Sequence, residues 1–87
     1  MAVQISCDYK KFGRFLKAKR EEAGLSQGDI AKAMGLTTPQ YISNVERGIA
    51  KPSLRLLRSY RSLAKISKTQ LIEFLVADYK SLLQKNL

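Results

Sequence analysis

Histidine and cysteine are almost missing from this chain of 87 residues. The sequence has no histidine, and Cys7 is its single cysteine. Histidine is the commonest general base and metal ligand, and a disulfide or a cysteine-based zinc site needs more than one cysteine. The chain also lacks paired carboxylates and a glycine-rich phosphate loop, and Cys7 has no base near it in the sequence. We therefore expect no metal, no cofactor and no enzymatic activity.

Long apolar stretches are missing as well. The longest strictly apolar run covers only residues 74–77, whereas a membrane-spanning helix needs about 20 apolar residues. The N-terminus does not have the basic-then-apolar order of a signal peptide. We expect a cytoplasmic protein without a membrane partner. The lack of disulfides agrees with a reducing compartment.

Acidic residues are few, which gives the composition its strongest signal. The chain has 7 Asp or Glu against 16 Lys or Arg, for a net charge of +9. Residues 1–25 carry +3 and residues 51–70 carry +6, whereas residues 26–50 and 71–87 are neutral. Because phosphates attract cations while base edges are read through hydrogen bonds, a neutral centre between basic flanks suits nucleic-acid binding. Cations that only solvate helix surfaces would give the same pattern, so charge alone leaves both interpretations open.

Apolar spacing and capping residues predict five helices and no strand. The predicted helices run from about Tyr9 to Ala23, from Gln27 to Met34, over about residues 39–47, from Ser53 to Lys65, and from Ser67 to the C-terminus. Their expected N-caps are Ser6 or Asp8, Ser26, Thr38, Ser53 and Ser67. The side chains expected to face the core are Phe12, Phe15, Leu16, Ile30, Ala31, Met34, Ile42, Val45, Leu54, Leu57, Tyr60 and Ala64.

The second and third predicted helices are short and are joined through Gly35. This is the arrangement of a helix-turn-helix, whose second helix enters the major groove of DNA. Several spaced segments carry a family resemblance: Leu25-Ser26-Gln27 with Ile30-Ala31, Met34-Gly35-Leu36, the run YISNVERG at 41–48, and Lys51-Pro52-Ser53-Leu54. Over residues 9–66 they resemble the Cro/C1-type (XRE-like) helix-turn-helix family of bacterial and phage repressors.

The resemblance implies an all-α protein, a five-helix bundle of the lambda-repressor-like helix-turn-helix type with a C-terminal helix extension. Residues 1–8 would form an N-terminal tail, residues 9–66 the helix-turn-helix domain, and residues 67–87 the C-terminal helix. Such a protein is a sequence-specific regulator of transcription, of bacterial or phage origin and associated with the nucleoid, that binds double-stranded DNA. We expect a repressor, with an activator as the alternative. The stretch between Gly35 and Ile42 is one residue longer than in the shortest family members, so it stays open which residue begins the third helix.

The polar face of the third helix suits the reading of bases. Gln40, Asn44 and Arg47 are spaced by four and three residues, which places them on one side of a helix. Asparagine and glutamine can pair with adenine, and arginine with guanine. These residues could instead be ordinary surface groups, with Arg47 near the helix C-terminal dipole. The predicted base-reading residues are Thr38, Gln40, Tyr41, Ser43, Asn44 and Arg47.

Cations and hydroxyls around that helix suit the phosphate backbone. The predicted phosphate-binding residues are Ser26, Gln27, Thr37, Lys51 and Arg55. The resemblance implies the role of Gln27, and it also implies a structural salt bridge between Arg20 and Glu46. The remaining cations of the first and fourth helices, Lys10, Lys11, Arg14, Lys17, Arg58 and Arg61, are expected mainly to solvate the surface.

The C-terminal helix has more apolar residues than one buried face requires. Ile72, Leu75, Val76, Tyr79, Leu82 and Leu83 fit one broad face, and Leu71 and Phe74 lie off it. The surplus predicts a homodimer, with the folding of the whole helix onto its own domain as the alternative. A second functional hypothesis is an antitoxin-like protein-interaction module that regulates its own operon. In that case the same helix would bind the protein partner.

Overall fold

The computed structural model describes residues 9 to 86, except the side chains at positions 78, 81, 82 and 86. Within this part the chain forms five helices and no strand, as the sequence predicts. The helices are α1 (Lys10–Glu22), α2 (Gln27–Ala33), α3 (Gln40–Glu46), α4 (Leu54–Ala64) and α5 (Lys68–Asn86). None of these helices is long and apolar enough to cross a membrane. Residues 1–8, which include Ser6, Cys7 and Asp8, lie outside the described residues.

Three of the predicted caps are formed by serine side chains. Ser26 and Asp29 make a reciprocal capping box, with 3.0 Å from the Asp29 amide to the Ser26 Oγ and 2.8 Å from the Ser26 amide to the Asp29 carboxylate. Bonds from the Ser26 amide and hydroxyl lower the pKa of the Asp29 carboxyl. Ser53 accepts from the amide of Leu56, and Ser67 accepts from the amide of residue 70, each at 3.1 Å.

The predicted cap of α3 is wrong by one residue. Pro39, not Thr38, occupies the N-cap of α3. Its ψ of 10° lies outside the helical range, and its carbonyl accepts the first helical bond from the amide of Ser43 at 2.9 Å. A proline side chain cannot accept a hydrogen bond, so this helix begins without a side-chain cap, and Thr38 lies in the preceding turn.

The core lies between α1 and the other four helices. Phe12 and Leu16 of α1 are fully buried against residues of α2, α3 and α4. The fully buried side chains are Phe12, Leu16, Ile30, Ile42, Val45, Leu56 and Tyr60. The prediction for Leu54 is wrong, because Leu54 is 65% exposed. Leu56 and Tyr60 define the buried stripe of α4, and Leu54 lies about 200° around the helix from Leu56.

Helix α1 and helix α3 approach each other closely enough to require a glycine. A Cβ atom on Gly13 would lie 2.6 Å from the carbonyl oxygen of Val45 and would also contact that of Glu46. Both neighbours are backbone atoms, so they cannot turn aside as a side chain could. Because Gly13 has no side chain, the end of α3 can pack directly against the backbone of α1.

One apolar face of α5 packs on α1, and another is exposed. Leu71 is buried, and the ring of Phe74 stacks on that of Phe15 with 4.1 Å between centroids and 11° between planes. Ile72 and Val76 lie on the outer side and are 48% and 57% exposed. The residues that the sequence places off the broad face thus make the contact with the domain, together with the half-buried Leu75 of that face. The aromatic surface of α1 decides this orientation, and it is not visible in the sequence of α5.

Candidate nucleic-acid interface

Helices α2 and α3 are joined by a tight turn that begins at Gly35. Gly35 has φ 72°, and its amide donates to the carbonyl of Lys32 at 3.0 Å. The next amide, of Leu36, reaches back to the carbonyl of Ala31 at 2.9 Å. These two bonds end α2 as in a Schellman motif, and the half-buried Leu36 packs against the core. The turn thereby fixes α3 relative to α2.

Three polar side chains form what we call the surface network: Gln40 and Asn44 on α3, and Arg47 at the C-cap of that helix. Nε2 of Gln40 donates to Oδ1 of Asn44 at 2.9 Å, and an Nη2 of Arg47 donates to the same oxygen at 2.7 Å. The bonds order the three side chains along one side of the helix. Since Oδ1 of Asn44 is occupied, bidentate pairing with adenine would exchange these bonds for bonds to the base. In such exposed positions this exchange costs little.

A shallow cleft of about 350 Å³ brings the predicted threonines to the surface network. It is lined by Leu36, Thr37, Thr38, Gln40, Tyr41 and Asn44. Thr37 and Thr38 are exposed there, whereas Ser43 is half-buried. Five of the predicted residues thus share one concave surface.

The hydroxyl of Tyr41 bonds the backbone of the loop before α4. It donates to the carbonyl of Lys51 at 2.8 Å and accepts from the amide of Ser53 at 2.9 Å. These bonds tie α3 to the loop before α4. Tyr41 also lines the shallow cleft beside Gln40 and Asn44.

A second set of polar groups, which we call the buried network, surrounds the carboxylate of Glu46. Nε of Arg20 donates to Oε2 at 2.7 Å, and Nη2 of Arg20 donates to Oε1 at 2.9 Å. Nε2 of Gln27 donates to Oε1 at 3.0 Å, and the Tyr60 hydroxyl donates to Oε2. The ion pair that the resemblance implies for Arg20 and Glu46 is present, and it is buried. Residues of α1, α2, α3 and α4 meet at this one carboxylate.

The protonation of the buried network follows from these bonds. Burial would raise the pKa of the Glu46 carboxyl, but the bonds from Arg20, Gln27 and Tyr60 outweigh it, so the pKa lies below its usual value. Burial, and then the bond to Glu46, raise the pKa of Tyr60. The bond to Glu46 likewise raises the pKa of Arg20. The network therefore holds a carboxylate, a guanidinium and a neutral phenol.

The predicted phosphate ligands lie at several places around α3. Gln27 is half-buried at the start of α2, and the other hydrogen of its amide remains for a phosphate. Ser26 beside it uses its oxygen as the helix cap. Lys51 is exposed in the loop after α3, and the guanidinium of Arg55 lies beside the Gly35 turn, 3.6 Å from where a Cβ on Gly35 would stand.

The structure also forms a basic cleft. The α1 cations that line it are ones that the sequence analysis expected mainly to solvate the surface. Lys10, Arg14 and Lys17 of α1 line an open cleft of about 330 Å³. Its other lining residues are Gln27, Glu46 and Arg47. The spacing of the three α1 cations, at i, i+4 and i+7, is the signal that could have grouped them. By contrast, Arg58 and Arg61 line a separate cleft on α4.

Known proteins match this chain over the region that contains α2 and α3. A helix-turn-helix family model matches residues 16–71, which is more than half of the chain. An uncharacterised HTH-type transcriptional regulator of Mycobacterium tuberculosis is 36% identical over 55 residues, covering 63% of this chain and 39% of that protein. The ImmF control region 10 kDa protein of Bacillus phage phi105 is 42% identical over 50 residues, covering 58% and 54%.

A further relative is the HTH-type transcriptional regulator DdrOP3 of Deinococcus deserti, 41% identical over 58 residues, covering 67% of this chain and 44% of that protein. The chain thus matches about half or less of the length of these relatives. No solved structure matches at the same level of significance. The extent of the family match, with the arrangement of α2 and α3, shows that the chain belongs to the Cro/C1-type (XRE-like) helix-turn-helix family, a family of DNA-binding transcription regulators.

Proposed function

We propose that this protein is a sequence-specific, double-stranded-DNA-binding regulator of transcription that reads the major groove with α3. The observation that carries the proposal is the surface network, which lies on the second helix of a helix-turn-helix and at its C-cap. Its three polar side chains can each bond a base edge. We place the protein on the nucleoid, in the cytoplasm of a bacterium. It acts as a repressor by occupying an operator and excluding RNA polymerase.

The main contacts of each kind are made by different groups: uncharged amides bond the bases, and cations bind the phosphates. Gln40 and Asn44 discriminate between bases, because their amides present both a donor and an acceptor. Lys51 and Arg55 contact phosphates and set the orientation of α3 on the duplex. The other proposed base contacts are Thr38, Tyr41, Ser43 and Arg47, and the other proposed phosphate contacts are Ser26, Gln27 and Thr37.

Selection of duplexes from a random DNA library tests the proposal. We expect an enriched sequence, bound at least 1,000 times more tightly than random duplex at physiological salt. Gln40→Ala should lower this ratio, while Gln84→Ala, which removes an exposed amide from α5, should leave it unchanged. Failure to enrich any sequence, with all binding lost at high salt, would contradict the proposal.

The outer face of α5 supports assembly as a homodimer. Ile72, Val76 and Tyr79 recur at helical spacing and are 48%, 57% and 52% exposed. In a dimer this face would be covered, and two copies of α3 would meet half-sites about 34 Å apart. Val76→Glu should then lower the dimer fraction in sedimentation equilibrium, whereas Thr69→Glu, at an exposed polar position of the same helix, should not.

The same exposed face also supports the second candidate, an antitoxin-like module that binds a protein partner and regulates its own operon. A second small protein that co-purifies in a fixed ratio and is lost with Val76→Glu would favour it. A homodimer that needs no second protein would favour the repressor.

A further inference from the structure

Three cations on the outer side of α1 line one cleft with the end of α3. Lys10, Arg14 and Lys17 are all exposed, and they extend over about 10 Å of helix. The cleft is held in place by backbone packing, since a Cβ on Gly48 would lie 2.7 Å from the backbone of Lys10. Together with the close approach at Gly13, this contact fixes the start of α1 against the end of α3.

The charge in this cleft is not balanced within the described part of the chain. The only carboxylate that lines it is that of Glu46, which already accepts bonds from Arg20, Gln27 and Tyr60. None of the three α1 cations forms an ion pair with a described side chain, since the ion pairs among the described side chains are Lys19–Glu22 and Arg20–Glu46. The cleft therefore presents net positive charge to whatever occupies it.

The cleft is continuous with the surface network. Arg47 lines the cleft and also donates to Oδ1 of Asn44 on the exposed side of α3. Gln27 lines it as well, with one amide hydrogen on Glu46 and the other remaining. An anion in the cleft would thus lie beside the helix that is proposed to read the bases.

We propose that this cleft is a binding site for backbone phosphates of DNA, in which Lys10, Arg14 and Lys17 bind the strand next to the bases contacted by α3. The inference rests on the proposed function and extends its footprint onto α1. Each phosphate that a lysine or arginine neutralises releases counterions, so the site contributes affinity without sequence preference. Gln27 and Arg47 connect this site to the base-reading surface.

The main test is the salt dependence of binding to a duplex selected with the wild-type protein. In the triple variant Lys10→Ala, Arg14→Ala and Lys17→Ala, we expect the slope of log affinity against log salt to become shallower by about 2 to 3. The ratio of specific to random affinity should change little. A matched variant, Arg58→Ala, Arg61→Ala and Lys68→Ala, also removes three exposed cations and should keep most of the slope.

A second measurement locates the contact on the DNA. Single phosphates that flank the selected site are replaced by uncharged methylphosphonates, one at a time. The wild-type protein should lose affinity at one or more positions where the triple variant loses none. Unfolding of the triple variant, followed by circular dichroism, should match the wild type, because alanine favours the helical state of α1.

The outcomes separate the possible failures. If no DNA sequence is enriched, the proposed function fails. If one is enriched but the triple variant keeps the wild-type slope, the α1 site is wrong and these cations only solvate the helix or balance the end of α3. If calorimetry shows saturable binding of inorganic phosphate that the triple variant loses, with an unchanged DNA slope, the cleft binds a free phosphate and the inference is also overturned.

Discussion

Helix α3 bears two hydrogen-bonded networks, a buried one around Glu46 and an exposed one around Asn44. Each has one side-chain acceptor group bonded by an arginine and a glutamine. Glu46 is 4% exposed, whereas the bonds to Asn44 lie at the surface. Loss of a partner in the buried network leaves a charge without water, whereas water replaces a partner in the surface network. We therefore expect the first network to determine stability and the second to determine recognition.

The largest effect should come from Glu46→Ala. It leaves the buried guanidinium of Arg20 without its counter-ion, and breaking a buried pair in this way costs about 3 to 5 kcal/mol of unfolding free energy. Urea unfolding followed by circular dichroism measures the loss. Glu22→Ala is the matched control, because Glu22 forms only an exposed contact with Lys19 at 3.6 Å. It should cost less than about 1 kcal/mol. A Glu46→Ala protein as stable as the wild type that no longer binds DNA would contradict the structural role.

Tyr60→Phe should have the next largest effect, about 1.5 to 3 kcal/mol of unfolding free energy. It removes one bond to the Glu46 carboxylate but keeps the ring in the core. Tyr41→Phe is the control, since it removes the same hydroxyl from two bonds to exposed backbone. A Tyr60→Phe protein that is no less stable than Tyr41→Phe would show that burial does not raise the cost of losing a hydroxyl bond.

The surface network predicts the opposite pattern for Asn44→Ala. The unfolding free energy should change by less than about 0.5 kcal/mol, because solvent takes over the lost bonds. The preference for the selected duplex over a random one should fall by about 1 to 3 kcal/mol, as measured by fluorescence anisotropy. Equal weakening on both duplexes would show that Asn44 contacts the backbone and does not read a base.

The parts of the fold that local chemistry determines are predictable from the sequence. Ser26, Ser53 and Ser67 cap their helices as predicted, because a capping bond spans only three residues. Pro39 replaces Thr38 as the cap of α3 because the path of the turn is set by packing. Leu56 instead of Leu54 faces the core for the same reason, since three leucines in one turn leave the orientation of the helix open.

The candidate site also has parts that local sequence predicts and parts that depend on contacts between distant residues. The spacing of Gln40, Asn44 and Arg47 places them on one face of any helix, so the surface network is visible in the sequence. Gln27 lies 19 residues from Glu46, and Tyr60 lies 14 residues away. Local periodicity contains no signal for contacts at such separations. The sequence does not predict the basic cleft on α1, because Gln27 and Arg47, which also line it, come next to the α1 cations only in the folded chain.

The smallest expected effect is the change in unfolding free energy at low pH, which should depend on the buried network and not on the surface network. The folded protein holds the pKa of Glu46 below its ordinary value of 4.5, so the ionised carboxylate contributes stability that is fully present above that value. As the pH falls below 4.5, the unfolded chain binds a proton first, and the contribution is lost by the time the pH passes the folded pKa. Unfolding free energy measured between pH 7 and pH 3 should therefore fall less in Glu46→Gln than in the wild type.

The lowered pKa of Asp29 acts in both proteins and cancels in the comparison. Asn44→Ala should follow the wild-type curve, because neither asparagine nor alanine has an ionisable side chain. If Glu46→Gln loses as much stability in acid as the wild type, the ionised Glu46 is not what holds α1, α2, α3 and α4 together.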